Sequence, residues 1–478
     1  MADDPVPTEL LRHTTELATA YLGSLEDRPV GRPVDLAALR AALGGPLPDG
    51  PSDPIEVIDA LVRGADAGLI ASAGPRYFGF VIGGAVPAAL AADWMTSAWD
   101  QNGGLYAISP AAAVAEEVAG DWLIDLLGLP DETSVGFVTG ATMANFTALA
   151  AARHAVLARV GWDVERLGLQ GAPDVTVITH QGTHVTVYAS LQMLGMGREG
   201  ERVRVVASDD QGRMVPGALE AELATIDGPV IVCAQAGNVN TGAYDPFEAL
   251  IPIARARGAW VHVDGAFGIW AAAVPSLRGH MAGYLGADSW STDAHKWLNV
   301  PYDSGLVFVR DASAHHAAMT LGAAYYVETA GGERDPYNWV PESSRRARGF
   351  TVLAALRSMG RSGVVDLIER DSALARRMAA RVATGPEVTV LNEVVLNQVL
   401  VRFDGGPDDT DGSAGDARTR AVIDGVQRDG TCWLGGTVWH GRAAMRVSVS
   451  GWRTTEDDID RSADAILQVL AAVDGRMP

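Results

Sequence analysis

Between about residues 110 and 310 the chain alternates short apolar runs with longer stretches of helical spacing. The runs fall at 135–139, 175–179, 203–207, 230–234, 259–264, 289–292 and 305–309. Each has the length of a strand, and runs this uniformly apolar belong to strands buried on both faces. Helices are predicted between several of them, at 141–159, 184–194, 216–225 and 246–257. Such alternation makes an α/β fold, a mostly parallel sheet with helices on both faces. Ligands of these sheets bind beyond the carboxyl ends of the strands. The residues that follow each run are therefore where chemistry is expected.

The flanks read differently. Residues 8–24 and 35–43 predict helices, followed by Pro- and Gly-rich turns at 45–54. This N-terminal helical arm, 1–75, is too short to enclose a core and is expected to pack on another domain or subunit. A large domain is expected over 76–325, then a mobile loop and a small C-terminal α+β domain over 326–478. There, long helices are predicted over 345–384, strands over 388–391, 398–403 and 443–449, and helices over 417–429 and 455–473. The polar run Asp404–Asp416 predicts a second mobile loop. No internal repeat is visible.

Composition narrows the partners. With 48 % hydrophobic residues a substantial core is available. A formal net charge of -22 without a basic stripe argues against a nucleic-acid surface and against docking on anionic lipid. Cys233 and Cys432 are too few for a disulfide framework. Neither a signal-peptide pattern nor an apolar stretch of membrane-spanning length is seen, so a cytoplasmic location and a small-molecule partner are expected.

One residue count changes the picture. Among 37 basic side chains only Lys296 is a lysine. Arginine can replace lysine where only surface charge matters. It cannot where a primary amine must lose its proton and attack a carbonyl carbon. Lys296 sits in Ser289-Trp-Ser-Thr-Asp-Ala-His-Lys-Trp297, among small, polar and aromatic residues, which favours a covalent role over a surviving surface charge.

Three other strand ends carry candidate groups. Val138-Thr-Gly-Ala-Thr-Met-Ala-Asn145 opens a long Ala-rich helix; small residues there make either an anion cradle or an ordinary helix start. His184, in His180-Gln-Gly-Thr-His184, is a functional ring, a cap or a core residue. Asp264 ends Trp260-Val-His-Val-Asp264. It could bind a metal, cap a turn or hold a protonated ring nitrogen. No second ligand stands at metal spacing, so no metal is expected. A cradle, a flat residue, an acid and an amine are together the set that pyridoxal 5'-phosphate needs.

On these motifs the chain resembles the pyridoxal-phosphate-dependent group II amino acid decarboxylases, such as aromatic-L-amino-acid decarboxylase and glutamate decarboxylase. The likeness covers roughly residues 70–465. It rests on His295-Lys296-Trp297 with Val300-Pro-Tyr-Asp-Ser-Gly305, on Ala236–Pro246, on the Asp264 strand and on Pro341-Glu-Ser-Ser-Arg-Arg346. The resemblance implies fold type I, with a mostly parallel seven-stranded sheet, and a homodimer whose active sites lie at the subunit interface. It implies Lys296 as the aldimine lysine, Asp264 at the pyridine nitrogen, His184 stacked on one ring face and Ala266 on the other. Ala141, Thr142 and His295 are the implied phosphate contacts, and Asn238 an additional ring contact. The implied reaction is decarboxylation of an L-amino acid, aromatic or otherwise bulky, to its amine.

Two segments depart from the family pattern. Relatives reprotonate Cα with a tyrosine in Asp-Tyr-x-x-Trp; here Asp335-Pro-Tyr-Asn-Trp339 puts Pro336 at that position and Tyr337 one residue later. Tyr337 is the expected acid, with Tyr325 and Tyr326 as further candidates and residues 325–342 expected to be mobile. Loss of the donor would favour aldehyde formation by oxidative deamination. Retro-aldol cleavage and a non-catalytic cofactor-binding role are the remaining alternatives. Gly104 stands where relatives carry phenylalanine, which is expected to open a pocket lined by Phe80, Asn102, Gly104 and Tyr106.

Overall fold

A computed structural model describes residues 7–320 and 333–475. The strands of the large sheet are β1 (Ser134–Val138), β2 (Thr176–His180), β3 (Val203–Val206), β4 (Val230–Gln235), β5 (Trp260–Asp264), β6 (Ser289–Asp293) and β7 (Gly305–Val309). Their order is β1-β7-β6-β5-β4-β2-β3. β3, β2, β4, β5 and β6 run parallel, and β7 lies antiparallel between β6 and β1. The sheet is therefore mostly parallel and seven-stranded, as the apolar runs predict. Every strand except the edge strand β3 is buried along its whole length. Full burial is worth about 1.5–3 kcal/mol for each large aliphatic side chain.

The helix Ala141–Ala158 fixes the site's geometry. Ala144, Ala148, Ala151 and Ala152 are wholly buried, and their small side chains let its backbone lie close to the sheet. Its first turn begins where β1 ends.

Three further helices, Pro54–Ala65, Pro87–Trp99 and Pro110–Leu127, go beyond those the hydrophobic pattern predicts. Each begins with proline. Read as a breaker, proline marks a turn, but at the first helical position its fixed φ and missing N–H cost nothing. At Pro54 the start is reinforced by Asp53, whose Oδ1 accepts from Ile55 N at 2.8 Å.

The polar run 404–416 is also partly helical, because its acids cap a helix. Asp409 accepts from Ala414 N and Gly415 N, and the helix runs Ser413–Asp429. The predicted long helix Gly349–Val382 is broken at Gly360.

The described residues fall into two compact units. One holds the described parts of 1–80, 377–390 and 400–478; the other holds 81–376 with 391–399. The boundaries between the units lie after 80, 376, 390 and 399. In the first unit Phe78 donates its N–H to Trp433 O and accepts from Ser448 N, which ties the N-terminal segment to C-terminal residues. In the second, Arg334 and Trp339 stack together and pack beside β1, where a Cβ on Gly136 would meet Trp339 O at 2.6 Å.

Candidate active site

The lysine stands just beyond β6. Asp293, the last residue of that strand, is buried, and its carboxylate gathers three partners. Lys296 Nζ lies 2.9 Å from Oδ2. Ala141 N donates to Oδ1 at 2.5 Å, and His295 Nε2 lies 3.3 Å from Oδ1. Ser304 N donates to His295 Nδ1 at 3.0 Å, so a neutral ring carries its proton on Nε2, facing Asp293. Burial pushes the His295 pKa down more strongly than the adjacent Asp293 carboxylate pushes it up. Below the lysine the turn is anchored. Asn299 Nδ2 donates to the carbonyls of Lys296 and Trp297, and Trp297 Nε1 donates to Asp371 Oδ2 at 2.9 Å. Asp371 is wholly buried, which pushes its pKa up to about 7.

The second carboxylate ends β5. Asp264 is 4 % exposed. Its Oδ1 accepts from Ala266 N at 3.1 Å and its Oδ2 from Asn145 Nδ2 at 3.3 Å. Asn145 lies one helical turn beyond Ala141, on the same face. One helix start therefore touches both acids, Asp293 through Ala141 and Asp264 through Asn145. Asn145 and Asp293 were not singled out from the sequence. A wholly buried amide in an alanine-rich helix and an acid three residues before the lysine are the signals that could have found them.

The start of that helix has no side-chain cap. Gly140 lies beside His295, since a Cβ there would sit 3.1 Å from the ring. His184 caps the helix Val185–Met193: Thr186 N donates to Nδ1 at 3.4 Å, and Thr186 Oγ1 lies 2.8 Å from the same nitrogen. Asn238 is buried and occupied by its own turn. Its Oδ1 accepts from Asn240 N and Thr241 N, and its Nδ2 donates to Gln235 Oε1 and Gly182 O.

Tyr337 is 2 % exposed and sits on the short helix Pro336–Trp339. It is not a surface loop residue. Residues 325–332, with Tyr325 and Tyr326, lie outside the described residues, while Pro336–Trp339 forms a short, mostly buried helix. Tyr337 N donates to Gly104 O, and Tyr106 N to Asp335 Oδ1. Asn102 Oδ1 accepts from Gly104 N and Arg345 N. Gly104 does not open a pocket: a Cβ there would lie 2.2 Å from Ser343 O, so backbone fills the space. Beneath it Arg345 and Glu116, both buried, pair through two bonds. Phe80 belongs to the first unit, where it is 59 % exposed and lies near Trp433.

The model of the pyridoxal-dependent decarboxylase conserved domain matches residues 48–404. The chain belongs to this family. L-2,4-diaminobutyrate decarboxylase of Rhizobium meliloti (strain 1021) is 31 % identical over 80 % of this chain and 75 % of that relative. Tryptophan decarboxylase 1 of Oryza sativa subsp. japonica is 28 % identical over 95 % and 91 %. Phenylacetaldehyde synthase of Arabidopsis thaliana is 26 % identical over 98 % and 97 %. The crystal structure of Oryza sativa TDC with PLP and tryptamine superimposes with a TM-score of 0.91 at 24 % identity, covering 98 % of this chain and 99 % of that one. The decarboxylase thus has the type I fold, and its cofactor is pyridoxal phosphate.

The residues present fit that group. The 18-residue helix starts on Gly140, which brings no capping side chain; Asp293 takes the Ala141 N–H, so a phosphate there would meet the N–H groups that follow, with the amine of Lys296 beside it through Asp293. Asp264 holds a carboxylate between two N–H donors, Asn145 Nδ2 and Ala266 N, at the end of β5. Bound, the cofactor supplies an aldehyde and an electron-accepting ring. Among the described residues no cluster of acids, histidines and cysteines could hold a metal ion, and no helix is long and apolar enough to cross a membrane.

Proposed function

We propose that this decarboxylase acts on an aromatic or similarly bulky L-amino acid and releases carbon dioxide and the amine. Lys296 carries the cofactor, Asp264 pairs with its ring nitrogen, His184 and Ala266 flank the ring, and Ala141, Thr142 and His295 take the phosphate, with Asn238 an additional contact. The observation that carries this reading is the double tie of one helix start to Asp293–Lys296 and to Asp264. For the substrate class, two of the three relatives named above have names that refer to aromatic compounds. Arg345, Arg346 and Arg348 each hold a carboxylate of the chain itself, which disfavours a second substrate carboxylate. The test is a product-mass screen over the twenty amino acids and common non-protein ones. Amine and carbon dioxide from an aromatic substrate are expected; turnover of only small charged amino acids would overturn the substrate class.

A second reading follows from Pro336, which stands where relatives carry the donor tyrosine. If Tyr337 supplies the proton to Cα, Tyr337→Phe is expected to slow amine formation by about a hundredfold. The share of aldehyde, ammonia and hydrogen peroxide should then rise, with oxygen and water consumed. An unchanged product ratio would remove Tyr337 and point to His184, Tyr325, Tyr326 or a water. If the wild type itself makes mainly aldehyde, the chain is an aldehyde synthase.

A homodimer belongs to the same proposal. The helices Thr8–Ser24 and Leu36–Leu43 bury no residue. Leu11, Leu36, Leu43 and Leu61 are each at least half exposed, apolar side chains that a second subunit would cover. A solution mass near twice 50.1 kDa is expected; a monomer would refute it. A cytoplasmic location accords with two buried free thiols, Cys233 and Cys432.

A further inference from the structure

Behind Asp264 lies a chain of buried polar groups with a defined direction. Trp260 Nε1, which can only donate, gives its proton to Ser289 Oγ at 2.9 Å. The Ser289 hydroxyl is then left to donate to His262 Nδ1, 3.0 Å away. His262 is wholly buried, and burial pushes its pKa down to about 4, so the ring is neutral and its proton sits on Nε2. That nitrogen donates to Asn145 Oδ1 at 2.9 Å, and Ser291 Oγ donates to the same oxygen at 2.6 Å. With its oxygen held by two donors, the Asn145 amide must turn its nitrogen the other way. Nδ2 faces Asp264 Oδ2 and Thr186 Oγ1, each at 3.3 Å. The Thr186 hydroxyl accepts this bond and donates to His184 Nδ1. The Thr186 N–H aims at the same ring nitrogen, and a backbone N–H cannot accept.

We propose that Asn145 is the positioning residue of this active site: through one locked amide it gives Asp264 a donor and, by way of Thr186, fixes His184 as the tautomer protonated on Nε2. The inference rests on the roles of Asp264 and His184 proposed above. The amide carries the order of a buried core strand outward to the acid and to the flat ring at once. A flipped Asn145 would set its carbonyl against the Asp264 carboxylate and leave His262 and Ser291 facing an N–H group, so the wrong orientation is disfavoured on both sides.

The test reads the tautomer directly. Protein labelled with 15N at histidine, without cofactor, is examined by long-range proton–nitrogen correlation, and His184 is identified by its loss in His184→Gln. Wild type is expected to show His184 unprotonated at Nδ1. Asn145→Asp keeps shape but replaces the donor with an acceptor; the Thr186 hydroxyl should turn to the new carboxylate, leaving only the long 3.4 Å bond from Thr186 N to hold His184 Nδ1 unprotonated, so the Nδ1-protonated form should become measurably populated. In the same variant the dissociation constant for pyridoxal phosphate should rise at least about tenfold, since a donor to Asp264 is lost. If Asn145→Asp does not fold, Thr186→Val removes the hydroxyl donor and should give a mixed tautomer population. A wild-type His184 protonated at Nδ1, or a variant tautomer identical to wild type, overturns the proposal. Wild-type protein that takes up no cofactor would instead overturn the reading of the site on which it rests.

Discussion

Lys296→Arg is expected to abolish turnover, lowering kcat by at least about a thousandfold, while leaving the protein folded. The positive charge beside Asp293 is kept, so the ion pair to that buried carboxylate can re-form and the helix start retains its partner. What is lost is the primary amine. A guanidinium holds its proton under all working conditions and does not condense with an aldehyde. In wild type, borohydride reduction in the presence of pyridoxal phosphate should fix the cofactor to a single side chain, read as one mass-shifted peptide spanning residue 296. The chain contains no other lysine, so a label on any other side chain would contradict the assignment outright. The variant should show neither the label nor the visible absorption of bound cofactor.

Asp264→Asn is expected to keep cofactor and lose about a hundredfold or more in turnover, because a neutral amide cannot stabilise a protonated ring nitrogen. The geometry adds a second effect. The wild-type carboxylate accepts from Ala266 N on one oxygen and from Asn145 Nδ2 on the other. An amide has only one oxygen, so one of these N–H groups must face another donor. The loss of stability should be about 1–3 kcal/mol, measurable by denaturant unfolding without cofactor. Turnover near wild type would remove Asp264 from the chemistry; unchanged stability would argue against the paired donors.

The sheet was readable because β1, β2 and β4 to β7 are buried on both faces and leave continuous apolar runs in the sequence. Rarity singled out Lys296, and the structure sets its amine beside the buried Asp293. The helices that open on Pro54, Pro87 and Pro110 were not readable, since proline marks a helix start and a turn equally well. Nor was the direction of the chain from Trp260 to His184. It joins residues far apart in sequence, and a serine or asparagine does not announce whether its neighbour donates or accepts. Gly104 misled for a related reason. A missing side chain looks like space, but here it is where the Ser343 backbone passes. In the run 404–416, polarity read as a loop includes a helix start at Ser413, where Asp409 accepts from the N–H groups of Ala414 and Gly415.

The reversed strand β7 has a consequence for the lysine. Because β7 runs against β6, its first residue pairs with the last of its neighbour, Asp293 with Gly305. The segment 294–304 therefore leaves the sheet and returns to it at one point, a short loop whose closure is settled when the protein folds. Lys296 near its start has little room to wander. Its amine meets any aldehyde in the site as an intramolecular reactant, at an effective concentration far above that of free amines in solution. If Lys296 holds the cofactor as proposed, this placement would keep its amine at the site from one turnover to the next.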